Sequence, residues 1–405
     1  MAEWIGAVEA AERLGIKQAS LYSYVSRGVL TPRRGADGRA SLFDAAEIEG
    51  LARRGRPRRA RRGAELVIES ELTEISDDQL RFRGHDATVL AASRSFEEVA
   101  SLLWTDSFGD PAARAPWQAT SEAIAAGTAA QAALPPDTYP LERLQVIVPA
   151  VAATDRLRLH LDRPAVIAAA SCLIAAMVDC LPPAGGQPAA AGDWSITGRL
   201  APKLCRTRPP AGLVGALRAA LVLAADHELA ASTLAARVAA SVRADPYAVV
   251  GTGLGTMSGA LHGGASLGAE VLLASARGPA DAPRVVGELL RRGERIPGLG
   301  HFVYQTGDPR AILLLDLVRK AAPASAPLAV AEAVLAEARR RALPAPNIEF
   351  ALAVLAAVAG MIPGAGEAVF AIARTAGWLA HALEEYARAT PIRPRGIYTG
   401  RPAIS

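Results

Sequence analysis

The amino-acid sequence predicts a large all-α body that follows a small, separate N-terminal domain. Of the 405 residues, 51% are hydrophobic but only 5% are aromatic, so the core must consist mainly of Ala, Leu, Val and Ile. Stretches rich in Ala and Leu, with few β-branched runs, favour helices over strands. Pro and Gly breaks separate helical segments from Glu65 onward, and a short hairpin within residues 66–82 is the one departure that we predict.

Positive charge is concentrated at the N-terminus of the chain. Residues 1–63 carry 13 Lys/Arg and 7 Asp/Glu, a net charge of +6, whereas the remaining residues carry 31 and 33, a net charge of −2. We therefore expect any polyanionic partner at this end. Residues 53–62 contain seven arginines, which cannot bury themselves and indicate an exposed tether. Non-specific attraction to phosphates is the alternative.

The N-terminal part has the pattern of a small helical unit. We predict a first helix over residues 7–14, ended by Gly15, and a second helix over about residues 18–27, closed by a C-cap at Gly28. A turn-rich segment with three arginines and a third helix complete the unit. The predicted division of the chain is a first domain at 1–54, an Arg-rich linker at 55–66 and a second domain at 67–405.

The string VEAAERLGIKQASLYSYVSRGVLTPRR resembles the helix-turn-helix of MerR-type and excisionase-like DNA-binding domains. The resemblance implies a small winged domain whose second helix enters the major groove and whose arginine-bearing loop contacts phosphates. The candidate DNA contacts are Gln18, Ser20, Ser23, Tyr24, Arg27, Arg33, Arg34 and Arg39. The same unit could instead serve protein interaction or dimer stabilisation, without DNA contact.

Three of the six histidines lie in glycine-rich or polar settings at the edges of apolar helices. His227 stands in an Asp-His-Glu string, and glycines surround His262 just before a predicted amphipathic helix. A histidine at a helix N-terminus is biased toward its neutral form, which can donate a hydrogen bond to a developing enolate oxygen. His301 precedes a predicted N-cap, Asp308, which puts Arg310 in the first helical turn. The guanidinium of Arg310 and the free backbone N–H groups of that first turn can converge on one carboxylate.

Six strings in order resemble successive signatures of the citrate synthase family: DHELAASTLAARV, GALHGGA, GLGHFVYQTGDPRA, PNIEF, AIARTAGWLAHALEE and RPRGIYTG. With FRGHDATVLAASRSFEEVASLLW, which resembles the N-terminal region of that family, the resemblance spans roughly residues 66–402. It implies an all-α citrate synthase fold with a large domain and a small mobile domain at about 264–368. The implied reaction condenses acetyl-CoA or propionyl-CoA with oxaloacetate, giving citrate or 2-methylcitrate and CoA.

The resemblance also implies a role for each candidate residue. His262 would hydrogen-bond the thioester carbonyl, Glu349 would remove the α-proton, and His301 would polarise and protonate the keto oxygen. The residues that would grip the 2-oxo acid are His227, Arg310, Arg374 and Arg393, the last supplied by a second subunit of a homodimer. The loop that would lie against the CoA adenine is Pro297, Gly298, Leu299 and Gly300.

One candidate departs from the family pattern, because the base there is normally aspartate. The extra methylene of Glu349 moves the carboxylate by roughly 1 Å, which can cost about 100-fold in a reaction governed by positioning. A second hypothesis therefore stays open, in which a DNA-binding regulator senses oxaloacetate or acyl-CoA with little turnover. A third has the N-terminal unit serve assembly alone.

The remaining residues with reactive side chains carry no further site. We interpret His85, His160 and His381 as surface or packing residues. The three cysteines lack metal-like spacing, and their odd number argues against a disulfide framework. We find no signal-peptide pattern and expect a cytoplasmic protein without a membrane span. We expect no metal and no permanently bound cofactor, with acyl-CoA acting as a co-substrate.

Overall fold

The computed structural model describes residues 4–14, 21, 30, 32–34, 41–49, 67–108, 116–185, 193–304, 306–388 and 390–400. The chain divides into two compact units, Met1–Glu69 and Ser70–Ser405. The predicted bounds of the first domain and the linker, at 54 and 66, and the predicted small domain at about 264–368 stay predictions.

The described elements of the first unit are β1 (Trp4–Gly6), α1 (Ala7–Leu14), β2 (Arg33–Arg34) and β3 (Ser41–Asp44), with helical residues at 45–49. The three strands form an antiparallel sheet in the order β1-β3-β2. The helix predicted over residues 7–14 is thus confirmed. The apolar side chains that form the core of this unit are Ile5, Ala10, Ala11, Leu21, Leu30, Phe43, Ala45 and Ile48.

Two of the candidate DNA contacts fall within the described residues of this unit. Arg33 pairs with Leu42 and Arg34 with Ser41, so both belong to the β2–β3 ladder. Arg33 is exposed, and its guanidinium lies 5.6 Å from the ring centre of Trp4. The other candidates lie outside the described residues: Gln18, Ser20, Ser23, Tyr24, Arg27 and Arg39. The predicted linker at 55–66 lies outside them as well.

The second unit begins with a hairpin at the place where the sequence predicts one. The strands are β4 (Thr73–Ser76), β5 (Gln79–Phe82) and β6 (His85–Asp86), all antiparallel. Asp77 and Asp78 join β4 to β5 with positive φ angles of 51° and 57°, the conformation of a two-residue hairpin turn. The protein is therefore mostly helical but not strictly all-α, because each unit carries a small sheet.

The rest of the second unit is helical. The first eight helices are α2 (Ala87–Ser93), α3 (Phe96–Thr105), α4 (Ser121–Ala132), α5 (Pro140–Ala152), α6 (Arg163–Asp179), α7 (Ile196–Leu204), α8 (Ala211–Ala224) and α9 (Ala231–Ser241). The next seven are α10 (Pro246–Met257), α11 (Gly264–Ala274), α12 (Ala282–Arg291), α13 (Pro309–Ala321), α14 (Ala326–Arg340), α15 (Ile348–Val358) and α16 (Ala365–Arg388), with a short 3₁₀ turn at Pro279–Asp281.

Helix starts in this unit follow local sequence signals. Many of these helices begin after a side chain that accepts a backbone N–H of the first turn, which satisfies a donor that the helix leaves free. These caps are Asp86, Ser95, Thr120, Asp162, Ser195, Asp245, Asp308 and Asn347. The predicted N-cap at Asp308 is thus confirmed, and Arg310 lies in the first turn of α13.

Helix α16 runs through the centre of the unit. It is buried along nearly its whole length and packs against α3, α6, α8, α9 and α10. A helix that is apolar on all sides belongs in a core, so a polar residue within it must have a partner or a ligand. Helix α15 packs between α11 and α13. None of the described helices is long and apolar enough to cross a membrane.

Candidate active site

One cavity collects most of the predicted site residues of the second unit. Its volume is about 980 Å³, and it is lined in part by His227, His262, His301, Arg310, Glu349 and Arg374. These side chains come from α13, α15, α16 and the segments that precede α9, α11 and α13. Residues separated by up to 147 positions along the chain therefore meet at one place.

A hydrogen-bonded chain sets the protonation of His262. The indole N–H of Trp378 donates to Oγ of Ser232 at 3.3 Å, and this oxygen lies 2.7 Å from Nε2 of His262. Oγ accepts from the indole and has one hydrogen of its own to donate; directed at Nε2, that hydrogen leaves the imidazole proton on Nδ1. Burial, assisted by Arg374, lowers the pKa of His262 to about 4. The ring is therefore a neutral N–H donor at pH 7.

Both ring nitrogens of His301 face an N–H donor. The backbone N–H of Val303 donates to Nδ1 at 3.0 Å, and Nη2 of Arg310, which can only donate, lies 3.3 Å from Nε2. Burial, and then the nearby Arg310, lower the pKa of His301 to about 4, so the ring is neutral at pH 7. A neutral ring accepts at only one of its two nitrogens, and the shorter contact, from Val303, favours acceptance at Nδ1. The proton is then on Nε2, where a ligand oxygen that replaces the Arg310 contact can accept it.

The third histidine packs against the second. The ring centres of His227 and His301 lie 5.2 Å apart, edge to face. Nε2 of His227 is 3.0 Å from the hydroxyl of Tyr304. Burial, followed by the charges of Arg310 and Arg374, holds the pKa of His227 well below its usual value. All three histidines that the sequence singles out are therefore neutral in the folded protein.

Arg310 is buried and fixed by a carboxylate. Asp308 accepts from Nε and Nη2 of Arg310 at 2.9 and 2.8 Å, and it also accepts the backbone N–H of Ile348 at 2.9 Å. Burial pushes the pKa of Asp308 upward, but the Arg310 guanidinium outweighs that effect and leaves it below the usual range. The ion pair therefore stays charged, and it ties the start of α13 to the start of α15.

Arg374 is buried but only partly satisfied. Its Nε donates to the backbone oxygen of Ala224 at 2.9 Å, whereas Nη1 and Nη2 have no hydrogen-bond partner among the described residues. The residue is 0% exposed and lines the cavity. Burial lowers its pKa to about 10, so the guanidinium is still charged at pH 7. Two free donors on a buried cation suit a ligand carboxylate.

Glu349 lies in the first turn of α15, two residues after the N-cap Asn347. Its Oε2 atom is buried and has no hydrogen-bond partner in the described part of the chain. Burial raises the pKa of Glu349, although Arg310 opposes the shift. A carboxylate with one oxygen free of hydrogen-bond donors and with a raised pKa is a stronger base than an ordinary surface glutamate.

The predicted adenine loop is pinned to the segment that leads into α15. The N–H of Gly300 donates to the oxygen of Ala345 at 2.8 Å, and the N–H of Asn347 donates to the oxygen of Gly298 at 2.9 Å. Gly298 has a φ of +75°, and a Cβ there would lie 2.7 to 2.9 Å from atoms of Phe350. Only glycine fits this position, which keeps the loop at residues 297–300 against the start of α15.

Three predicted site residues of the second unit are not among the described residues that line the cavity: Pro297, Gly298 and Arg393. Arg393 is the one of the three that was expected to grip the 2-oxo acid. It is exposed in the segment after α16, and the described residues that line the cavity do not include it. Tyr304 and Ser232 are contacts of the site that sequence reasoning missed. Both lie inside quoted motifs, but neither has a spacing or charge pattern that marks it.

The other three histidines divide between surface and core. His85 and His160 are exposed. His381 is fully buried, and its Nε2 lies 3.3 Å from Oδ2 of Asp226 while Nδ1 contacts Arg237. Among the described residues, no three His, Cys, Asp or Glu side chains cluster as metal ligands would.

Known proteins are similar to this chain in both sequence and fold. The family model for the citrate synthase C-terminal domain matches residues 63–395. The citrate synthase of Haloferax volcanii is 33% identical over 368 residues, covering 84% of this chain and 96% of its own length. Citrate synthase 2 of Bacillus subtilis is 29% identical over 376 residues, covering 84% of this chain and 96% of its own length.

A solved structure agrees with these relatives. It is a ternary complex of citrate synthase from Thermoplasma acidophilum with carboxymethyl coenzyme A and oxaloacetate. It superposes with a TM-score of 0.70 at 23% identity, over 84% of this chain and 95% of that one, which shows a common fold. With a family model that matches residues 63–395, the chain belongs to the citrate synthase family.

Proposed function

We propose that this protein condenses acetyl-CoA or propionyl-CoA with oxaloacetate, producing citrate or 2-methylcitrate and free CoA. The observation that carries the proposal is the content of the cavity. Three neutral histidines, two buried arginines and a carboxylate with a raised pKa line one space of about 980 Å³. A dicarboxylate needs fixed cations, and an acyl thioester needs both a base and an N–H donor.

The 2-oxo acid would bind first to the arginines. The free Nη atoms of Arg374 would hold one carboxylate, and Arg310, oriented by Asp308, would hold another. The Nε2–H of His301 would then donate to the keto oxygen. This hydrogen bond draws electron density from the keto carbon and prepares it for attack.

The acyl donor would be activated by a base and a hydrogen-bond donor acting together. Glu349 would take the α-proton while the Nδ1–H of His262 donates to the thioester oxygen, because an acetyl α-proton is too weakly acidic for a carboxylate alone. The enolate carbon then bonds to the keto carbon, and the keto oxygen receives a proton from His301. Water hydrolyses the resulting thioester and releases CoA. In the bound complex, the loop at residues 297–300 would lie against the adenine.

Purified protein should release free CoA from acetyl-CoA or propionyl-CoA only when oxaloacetate is present. Glu349→Gln should lower that rate by about 10³-fold, because it removes the base but keeps the size of the side chain. Glu349→Asp tests the reach of the carboxylate. Turnover by the aspartate variant alone would contradict catalysis by the natural protein and favour a sensor of the same ligands.

We further propose a cytoplasmic homodimer in which each cavity receives Arg393 from the other subunit. The exposure of Arg393 outside its own cavity supports this arrangement. Mixing two inactive variants, His262→Gln and Arg393→Gln, tests it. A shared site predicts recovered activity, because one of the two cavities in a mixed dimer then has both residues intact. If Arg393 served its own chain, both cavities would stay defective and activity would not return.

For the N-terminal unit we propose a winged helix-turn-helix that binds DNA. The net charge of +6 over residues 1–63 and the exposed Arg33 support the proposal. Each neutralised phosphate should contribute about −0.9 to the slope of log affinity against log salt. The full chain should bind duplex DNA with a steep slope that Arg33→Gln reduces. Absence of DNA binding would leave assembly as the role of this unit.

A further inference from the structure

Tyr304 contacts three residues of the proposed oxaloacetate site at once. Its hydroxyl lies 3.0 Å from Nε2 of His227, and its ring centre is 4.7 Å from that of His301. The Cζ atom of Arg310 lies 5.5 Å from the centre of the same ring. The side chain is only 5% exposed, so these contacts are made in a water-poor environment. A single residue thus borders two histidines and one arginine.

The direction of the hydrogen bond follows from the surroundings. Burial raises the pKa of Tyr304 to about 12, which keeps the phenol protonated, and His227 is neutral. The positive charge of Arg310 beside the ring favours the phenol as a donor rather than as an acceptor. The O–H group therefore donates to Nε2, and His227 keeps its proton on Nδ1.

We propose that Tyr304 is a positioning residue for the 2-oxo acid, fixing the tautomer and the orientation of His227 beside His301 and Arg310. The inference rests on the proposed function, because it assigns these three residues to oxaloacetate. Tyr304 need not touch the substrate. It acts through His227, whose ring would otherwise exchange between two tautomers and turn about its side-chain bonds.

The test compares two tyrosines that each make a buried hydrogen bond. Tyr304→Phe keeps the ring and removes the bond to His227. Tyr247→Phe is the matched control, because Tyr247 is 3% exposed and its hydroxyl donates to Asp155 at 2.9 Å, outside the cavity lining. We expect Tyr304→Phe to raise KM for oxaloacetate about 10-fold, the effect of one buried hydrogen bond, and to change KM for acyl-CoA less than about 2-fold. Tyr247→Phe should leave both constants unchanged.

Nitrogen NMR of ¹⁵N-histidine-labelled protein supplies a readout that does not need turnover. With six histidines in the chain, His227→Gln identifies the His227 signals by their loss. The natural protein should show distinct protonated and unprotonated ring nitrogens for His227, and Tyr304→Phe should average them toward a mixture. Unchanged signals in Tyr304→Phe, or equal increases in both KM values, would overturn the proposal.

Calorimetric titration with oxaloacetate separates failure of this inference from failure of the proposed function. The natural protein could bind oxaloacetate without turnover, which would refute catalysis. If Tyr304→Phe then binds oxaloacetate about 10-fold more weakly, the role of Tyr304 is upheld all the same. Equal affinities in the two proteins would refute that role even if the natural protein makes citrate. A natural protein with no affinity for oxaloacetate would refute both.

Discussion

Nε of Arg374 donates a hydrogen bond of 2.9 Å to the backbone oxygen of Ala224. The guanidinium lines the cavity, and neither of its Nη atoms has a hydrogen-bond partner among the described residues. Arg310 contrasts with it, since its Nε and Nη2 both donate to Asp308. Arg374 thus offers both Nη atoms to a ligand, whereas Asp308 fixes the orientation in which Arg310 meets one.

The two arginines should affect stability in opposite directions. Arg374→Met removes a buried charge whose two Nη atoms have no hydrogen-bond partner in the described chain, so we expect the free energy of unfolding to rise by about 1 kcal/mol. Arg310→Met leaves the buried Asp308 carboxylate without its partner and should lower that free energy by about 3 kcal/mol. Urea unfolding measures both, and both variants should lose turnover. A destabilised Arg374→Met would mean that neighbouring carboxylates already compensate the charge.

Ser232 should matter for the rate more than for binding of the 2-oxo acid. Ser232→Ala removes the hydroxyl that donates to His262 and frees the ring to adopt the other tautomer. We expect kcat to fall about 10- to 100-fold, with KM for oxaloacetate nearly unchanged. Ser266→Ala is the control, because Ser266 is buried but its Oγ has no hydrogen-bond partner in the described chain. An equal fall in kcat in both variants would mean that loss of a buried serine disturbs the fold in general, and would contradict a specific role for Ser232.

Gly298 should tolerate no side chain. In Gly298→Ala the new Cβ is strained by the positive φ of this residue and collides with Phe350. We therefore expect the free energy of unfolding to fall by about 2 kcal/mol and KM for acyl-CoA to rise. Gly215→Ala is the contrasting change, since a Cβ there meets nothing within 4 Å and the residue lies inside α8. It should stabilise the protein by about 0.5 kcal/mol. Thermal unfolding and CoA-release kinetics report both results.

Acid should destabilise the protein through its buried histidines. The pKa values of His262 and His301 are about 4 in the folded state, below the value of about 6.5 that an unfolded chain has. Between these limits the unfolded state binds more protons, so the stability present above pH 6.5 is lost as the pH falls toward 4. Urea midpoints should fall across this window. The double variant His262→Gln, His301→Gln should weaken the dependence of the urea midpoint on pH. The exposed-site variants His85→Gln and His160→Gln are the controls and should keep the dependence seen in the natural protein.

Several features could be predicted from sequence because they depend on neighbours along the chain. The cap at Asp308 and the first-turn place of Arg310 follow from the Asp-Pro-Arg order, and the structure confirms both. The helix that begins at Gly264 follows His262 as predicted. The histidines, arginines and glutamate that line the cavity could be chosen in advance because they stand within ordered motifs; Arg393 also stands within one but does not line the cavity of its own chain. The roles of those residues and the DNA contacts stay predictions.

Other features depend on contacts between distant segments. Nothing near Ser232 in the sequence indicates that Trp378 and His262 flank its hydroxyl, and nothing near Tyr304 indicates His227. The sequence by itself determined the helical body, the helix starts and the family, because these depend on composition, local caps and ordered strings. Only the tertiary structure decided which partner each histidine nitrogen has and which arginine keeps both Nη atoms free of partners among the described residues. Those properties arise from burial and from hydrogen bonds that close between residues far apart in the chain.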